Sequence, residues 1–438
     1  MNLKLSIIGA GYVGLVASAC FTEAGNEVLC VEKDQSKIDS INAGNIPIYE
    51  PGLEELVAKG IKSKKLRFSN NLEEAVKFSD VIFLCLGTPQ EASGKADLSQ
   101  VEEVSSKIAE LIDGYKLIVE KSTVPVGTHQ LIKKNIERYS KGSVSYDVAS
   151  NPEFLREGFA VQDFMNPVRI VVGVESERAK QLFQELYKPF TDKGNLLLVT
   201  DPTTSELIKY ACNAFLATKI SFINLIAELC DKVGANVEQV AEAMGYDSRI
   251  GKEFLKAGIG YGGSCLPKDV NAFIKTYESH DLDNNFLKEV YKTNDRSRKR
   301  FVEKIEEVLW INKNKKVAIW GLAFKPNTDD IREAPSIDIV KKLLDCGAHL
   351  SLYDPKAMCS FKRLFPEKEN LKYNEDVYAA AAEADALVIV TDWQEFKEVD
   401  LEKLKSVMKL PIILDARNLF EPAKIKALGF EYYSLGRP

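Results

Sequence analysis

Over the first 200 residues, short apolar, β-rich runs alternate with stretches of helical period, and LKLSIIG, EVLCVEK, VIFLCLG, LIVEKS, YDVAS and RIVVGV are the strand candidates. Strands separated by helical segments predict a parallel sheet with helices on both faces. From Thr203 to Gly234 the pattern becomes one long helix without internal Gly or Pro. The Thr203/Glu206 spacing reads as a capping box opening it, and Gly234 closes it. A helix of this length predicts a connection between domains and a contact surface for a second copy of the chain. Further helical pattern, broken by GIGYGGSCLPKD, continues to about Trp310, and the strand/helix alternation then restarts with KKVAIWG, HLSLYDP, ALVIVTDW and PIILDAR.

The expected fold class is therefore α/β, with two doubly wound, Rossmann-like parallel-sheet domains joined by a long central helix and a helical dimerisation domain. The boundaries fall at 1–200, 201–310 and 311–438, and a chain of 438 residues is long enough for three domains. Its N-terminal run, LSIIGAGYVGLVASAC, superficially resembles a secretory signal, but its three glycines fit a phosphate-binding turn and a second strand follows at once. No other apolar run approaches membrane-spanning length in this reading.

Charge and composition narrow the partners. The net charge of −6 gives no attraction to nucleic acid or an anionic membrane, so a small-molecule ligand is expected. Eight cysteines without a CxxC pair suggest neither a disulfide framework nor a zinc site, and a reducing cytoplasm fits them. The three histidines, His129, His280 and His349, lie far apart, which leaves little material for a metal centre or a histidine base. No metal is expected.

Gly9-Ala10-Gly11-Tyr12-Val13-Gly14 follows a strand and opens a helix, the setting in which glycines let backbone amides approach a pyrophosphate. Glu32 stands at the end of the second strand, where a carboxylate accepts from a ribose 2′-hydroxyl and repels a 2′-phosphate. NAD is the expected cofactor. Lys209 and Asn213, at i and i+4, share a helix face that would suit a developing alkoxide, or would equally serve as a solvated surface pair. Cys265 lies near a helix N-terminus beside Lys268, conditions that lower a thiol pKa, although packing also accounts for a cysteine. Asn151-Pro152-Glu153-Phe154-Leu155-Arg156-Glu157-Gly158 offers two carboxylates where ligands bind on such sheets, and a helix-start signal explains Pro152-Glu153 as well.

Taken in order, GAGYVG, YEPGLEEL, VEKSTVPVGT, NPEFLREG, ELIKYACNAFLATKISFIN, DSRIG, GYGGSCLPKD and GLAFKPNTDDIRE resemble the UDP-glucose 6-dehydrogenase family across essentially the whole chain. The resemblance implies an NAD-binding domain, a central helical domain with the cysteine loop and dimer contacts, and a C-terminal UDP-sugar domain. It implies Cys265 as nucleophile, Lys209 and Asn213 as oxyanion stabilisers, Glu153 as acid/base, and Asp269 and Thr123 as partners that position water. Phe154, Leu155, Phe254, Gly262, Phe324 and Lys325 would line the sugar-nucleotide site together with Glu153, Lys209 and Asn213, and Arg249 would reach the substrate of a neighbouring subunit. Lys37, Thr88, Thr123, Glu157, Lys268 and Arg332 would add cofactor contacts.

The implied reaction is a four-electron oxidation of UDP-glucose to UDP-glucuronate through a thioester. Leu225 and Val168 replace acids common in the family, and Leu266 also occurs in GDP-mannose 6-dehydrogenases, so a GDP-mannose or other nucleotide-sugar enzyme is the alternative. A two-electron hydroxyacid dehydrogenase would have no use for GGSC followed by LPKD. A catalytically idle sugar-nucleotide-binding protein would not need Cys265, Lys209 and Glu153 together.

Overall fold

The computed structural model describes residues 3–91 and 93–438. It divides into two compact units, one ending at Cys212 and one running Asn213–Pro438. The first is built on a sheet of eight strands: β1 (Lys4–Ile8), β2 (Glu27–Val31), β3 (Leu66–Ser69), β4 (Val81–Leu84), β5 (Lys116–Glu120), β6 (Tyr146–Ser150), β7 (Arg169–Gly173) and β8 (Leu196–Thr200). Their spatial order is β3-β2-β1-β4-β5-β6-β7-β8, which places the switch point of the doubly wound motif between β1 and β4.

Both faces of this sheet are covered. Leu5, Ile7, Val28, Cys30, Phe83 and Val119 pack on one side, while Ile8, Leu29, Ile82, Leu84 and Ile118 pack on the other. Strands buried on two faces need continuous apolar runs, which is how they read in the sequence. The N-terminal segment is part of this core, with β1 paired to β2 and β4.

The sheet is not wholly parallel, contrary to expectation. β6 meets β7 antiparallel through Ser150 and Gly173, and β8 runs parallel to β7. A parallel return needs a crossover that spans the sheet. The link between β6 and β7, residues 151–168 with the short helix Ala160–Met165, is long enough for such a crossover, so its length does not set the direction.

The second unit carries β9 (Lys316–Trp320), β10 (His349–Tyr353), β11 (Leu371–Tyr373), β12 (Ala386–Ile389), β13 (Ile412–Asp415) and β14 (Glu431–Tyr433) in the order β11-β10-β9-β12-β13-β14, all parallel. Before it come the helices Val237–Gly245, Leu266–Ser279 and Asn285–Leu309. Strands β3, β8, β11 and β14 were not among the sequence candidates, and each is a sheet edge. Edge strands are often short and need only one partner, so the apolar signal of β3, β11 and β14 is weak, whereas β8, with the sequence LLLVT, is apolar and was overlooked.

The long helix runs Pro202–Val233 and ends at Gly234, whose φ of +74° suits glycine. Its opening differs from the capping-box reading. The Asp201 carboxylate accepts from the Thr204 amide at 2.8 Å, while Glu206 turns away and accepts from the amides of Gly127 (2.6 Å) and His129 (2.8 Å). Glu206 thus caps a different helix, Thr128–Tyr139. Among the described residues, Pro202–Val233 is also long and apolar enough to cross a membrane by length and composition alone. This corrects the expectation that no later run approaches that length. An apolar helix face packed into a domain gives the same composition.

Candidate active site

In the first unit, β1 delivers the chain into Gly9–Gly14 and the helix Tyr12–Glu23. A Cβ on Gly14 would lie 1.8 Å from the Gly9 carbonyl oxygen, so only glycine lets the helix start this close to the strand. Gly11 stands at the N-cap and has no side chain to cap the first-turn amides. An uncapped glycine turn of this kind suits a pyrophosphate.

Glu32 follows β2. It accepts from the amides of Ala10 and Asp34 at 3.3 Å each and from Lys37 Nζ at 3.2 Å. Burial pushes its carboxyl up, but Lys37 and the two amides outweigh that and hold it below the usual carboxylate range. The turn, the acid and Lys37 are therefore brought together, and the residues present fit a dinucleotide with free ribose hydroxyls.

The ends of β4, β5 and β6 carry the next predicted residues. Thr88 Oγ1 donates to the Thr123 carbonyl at 2.9 Å, joining two of them directly. After β6, Glu153 Oε1 accepts from Lys209 Nζ at 3.0 Å and its Oε2 accepts from the Leu155 amide at 2.6 Å. Glu153 and Lys209 are both buried, so the bland surface-pair reading of Lys209 does not hold. Burial pushes the Glu153 carboxyl up, yet Lys209, the Leu155 amide and Lys121 hold it below its ordinary value. The Phe154 ring lies under the Arg169 guanidinium at 4.1 Å and 5.4 Å from Lys209 Nζ. Leu155 packs against the core, and Glu157 is buried.

The sequence reading missed Lys121. It is fully buried and donates to Asn151 Oδ1 at 3.1 Å, at the root of the Glu153 loop. Its only sequence signal is a lysine ending the apolar run LIVEK.

In the second unit, Asn213 Nδ2 donates to Asp269 Oδ2 at 2.6 Å, and Asp269 Oδ1 pairs with Lys268 Nζ at 2.8 Å. Cys265 is the N-cap residue of the helix Leu266–Ser279, and its Sγ lies 3.5 Å from Ser264 Oγ. The loop before it packs on the segment after β9. A Cβ on Gly262 would lie 2.2 Å from the Glu333 carbonyl oxygen, and Gly263 N donates to the Arg332 carbonyl at 2.8 Å. Gly262 thereby meets Phe324, whose ring also lies 5.4 Å from Lys325 Nζ.

Arg417, also missed, donates to the carbonyls of Gly260 (3.0 Å), Phe324 (3.1 Å) and Val390 (2.7 Å), so one half-buried guanidinium ties the cysteine loop to the Phe324 loop. Arg332 pairs with Asp330, and Phe254 holds a positive φ of 64°. Arg249 turns back onto Asp247 with its side chain 87% exposed. It is not gathered with the other predicted residues of its unit by any of these bonds.

Residues 3–191 match the NAD binding domain of the UDP-glucose/GDP-mannose dehydrogenase family, residues 203–296 its central domain and residues 318–422 its UDP binding domain. The chain belongs to this family. It is 47% identical to a UDP-glucose 6-dehydrogenase of Bacillus subtilis, over 99% of this chain and 93% of that protein. It is likewise 47% identical to a UDP-glucose 6-dehydrogenase of Rhizobium meliloti, over the full length of both. Its structure resembles that of a UDP-glucose dehydrogenase from Pyrobaculum islandicum with a TM-score of 0.91 and 36% identity, covering 99% of this chain and 97% of that one. The protein is an NAD-dependent oxidoreductase of this dehydrogenase family.

Proposed function

We propose that the protein oxidises the sugar 6-hydroxyl of UDP-glucose to a carboxylate, giving UDP-glucuronate. The observation that carries this reading lies in the second unit, where the buried Asn213 donates to the buried Asp269 in the first turn of the helix that Cys265 opens. NAD supplies the hydride acceptor, two per sugar, because alcohol to acid is a four-electron change.

The chain's own groups do the rest. The first oxidation yields an aldehyde, and the Cys265 thiolate adds to its carbon to form a thiohemiacetal. Loss of the remaining hydride leaves a thioester, and water cleaves the C–S bond to release the acid and regenerate the thiol. Lys209 and Asn213 stabilise the oxygen anions, while Glu153, with Asp269 and Thr123 placing the water, moves protons. Phe154, Leu155, Phe254, Gly262, Phe324 and Lys325 hold the sugar nucleotide, and Thr88, Glu157, Lys268 and Arg332 add to the cofactor contacts of the glycine turn, Glu32 and Lys37.

The same reading keeps the three domains at 1–200, 201–310 and 311–438, in a cytoplasmic protein whose eight cysteines are all free. It also makes the working unit at least a homodimer in which Arg249 serves the neighbouring subunit. The exposure of the Arg249 side chain, paired within its own loop to Asp247, supports that role. Hybrids of Arg249→Ala and Cys265→Ala subunits should regain activity, and confirmed hybrids with none would remove the in-trans assignment. The substrate assignment is tested by NADH release with UDP-glucose, GDP-mannose and UDP-N-acetyl sugars. Turnover of UDP-glucose should exceed the others, and preference for GDP-mannose would overturn it.

A further inference from the structure

The segment YEPGLEEL has no role in the chemistry above, yet its Glu50 is buried and joins three parts of the first unit. Its Oε2 accepts from the Gly158 amide at 2.6 Å and from the Tyr12 hydroxyl, and its Oε1 accepts from the Ala160 amide at 2.7 Å. Tyr12 OH in turn accepts from the Gly158 amide at 3.0 Å. A buried carboxylate is costly unless donors surround it, and here amides at a helix start and a phenol provide them. Burial, then the Glu50 carboxylate, pushes the Tyr12 phenol far up, so the hydroxyl stays protonated and remains a donor.

The position of this carboxylate distinguishes it from an ordinary helix cap. Tyr12 is the first helical residue of the dinucleotide turn, and Gly158 ends the loop that carries Glu153 and Glu157. The opposite end of that loop is fixed by Asn151, which donates to the Val171 carbonyl at 2.8 Å and accepts from Tyr187 OH at 2.6 Å. Glu50 therefore sets the free end of the loop against the glycine turn.

We propose that Glu50 is a positioning residue: by holding Tyr12 and Gly158 on one carboxylate, it fixes the Glu153–Glu157 loop against the dinucleotide turn, so its loss lowers turnover more than binding. The inference rests on the site roles given above to Glu153 and Glu157. Misplacing a reacting group by a fraction of an ångström to an ångström costs about tenfold to a hundredfold in rate.

The test compares wild type, Glu50→Gln, Tyr12→Phe and the double variant with UDP-glucose and NAD. Glu50→Gln should lower kcat about tenfold or more while both KM values stay within about threefold. Tyr12→Phe should act in the same direction but less, and the double variant should be no worse than Glu50→Gln, because both changes break one linkage. Amide hydrogen exchange over residues 153–161 reads the linkage without any substrate and should quicken in Glu50→Gln. A kcat within twofold of wild type, losses that multiply in the double variant, or unchanged exchange would each overturn the proposal. Should Glu50→Gln not fold, Tyr12→Phe decides by the same kcat and exchange criteria. Wild type that fails to reduce NAD with UDP-glucose would contradict the function, whereas the exchange result would still judge the clamp.

Discussion

The two sheets place an acid at the same point, directly after the strand next to the one that opens each motif, and use it in opposite ways. In the first unit the turn after β1 is short, and Glu32 accepts only long bonds from Ala10 and Asp34 beside its Lys37 pair. In the second, the connection from β9 to the helix Pro335–Asp345 is a long loop, and Asp354 is fully buried. Asp354 accepts from the amides of Leu322 (2.7 Å), Ala323 (3.1 Å), Lys356 (2.8 Å) and Ala357 (2.7 Å) and from Trp393 Nε1 (3.1 Å). A glycine turn that runs straight into a helix leaves its acid available to a ligand. A long loop with buried amides needs an internal acceptor, and its acid is committed to the fold.

Substitution of each acid sharpens the contrast. Asp354→Ala strands several buried donors and should cost about 3–5 kcal/mol of stability. Glu32→Ala should change stability by less than about 1 kcal/mol, since it gives up only two long amide bonds and one lysine pair. Denaturant midpoints of the two variants measure the difference, and equal losses would break the comparison.

Glu32 should instead govern cofactor choice. Glu32→Ser removes the charge that would face a 2′-phosphate, and the ratio of kcat/KM with NADP to that with NAD should rise about tenfold to a hundredfold. An unchanged ratio would show that Glu32, like Asp354, serves only the fold.

The smallest expected effect concerns Lys121, whose buried charge helps to keep the Glu153 carboxyl below its ordinary value. Lys121→Met should move the acidic limb of the kcat profile to higher pH, because Glu153 then takes up its proton sooner. The stability linked to that depressed carboxyl is complete above the ordinary carboxylate range and is lost as pH falls through its folded value. The variant should therefore lose that stability at a higher pH than wild type. Identical acidic limbs would separate Lys121 from Glu153.

Central strands, the glycine turn and Glu32 were legible because local period and spacing encode them. What escaped was mostly long-range. The Asp201-Pro202 start was a local signal passed over for Thr203, but nothing local says that Glu206 reaches Gly127 or that Glu50 is the partner of Tyr12. Strands β3, β11 and β14 are short edges with little apolar sequence, whereas the apolar run Leu196–Thr200 was overlooked, and the antiparallel pairing of β6 with β7 is a long-range feature that no local run encodes. Lys209 was undecided by spacing alone, and burial beside Glu153 is what separates a site residue from a surface pair.

The central claim is covalent passage through Cys265, and the most direct measurement counts NADH and UDP-glucuronate formed per UDP-glucose by wild type and by Cys265→Ala under excess NAD. The account predicts two NADH per sugar for wild type, and retained substrate and cofactor binding without sustained acid formation for the variant. A Cys265→Ala enzyme that makes UDP-glucuronate at near wild-type rate with two NADH per sugar would contradict it.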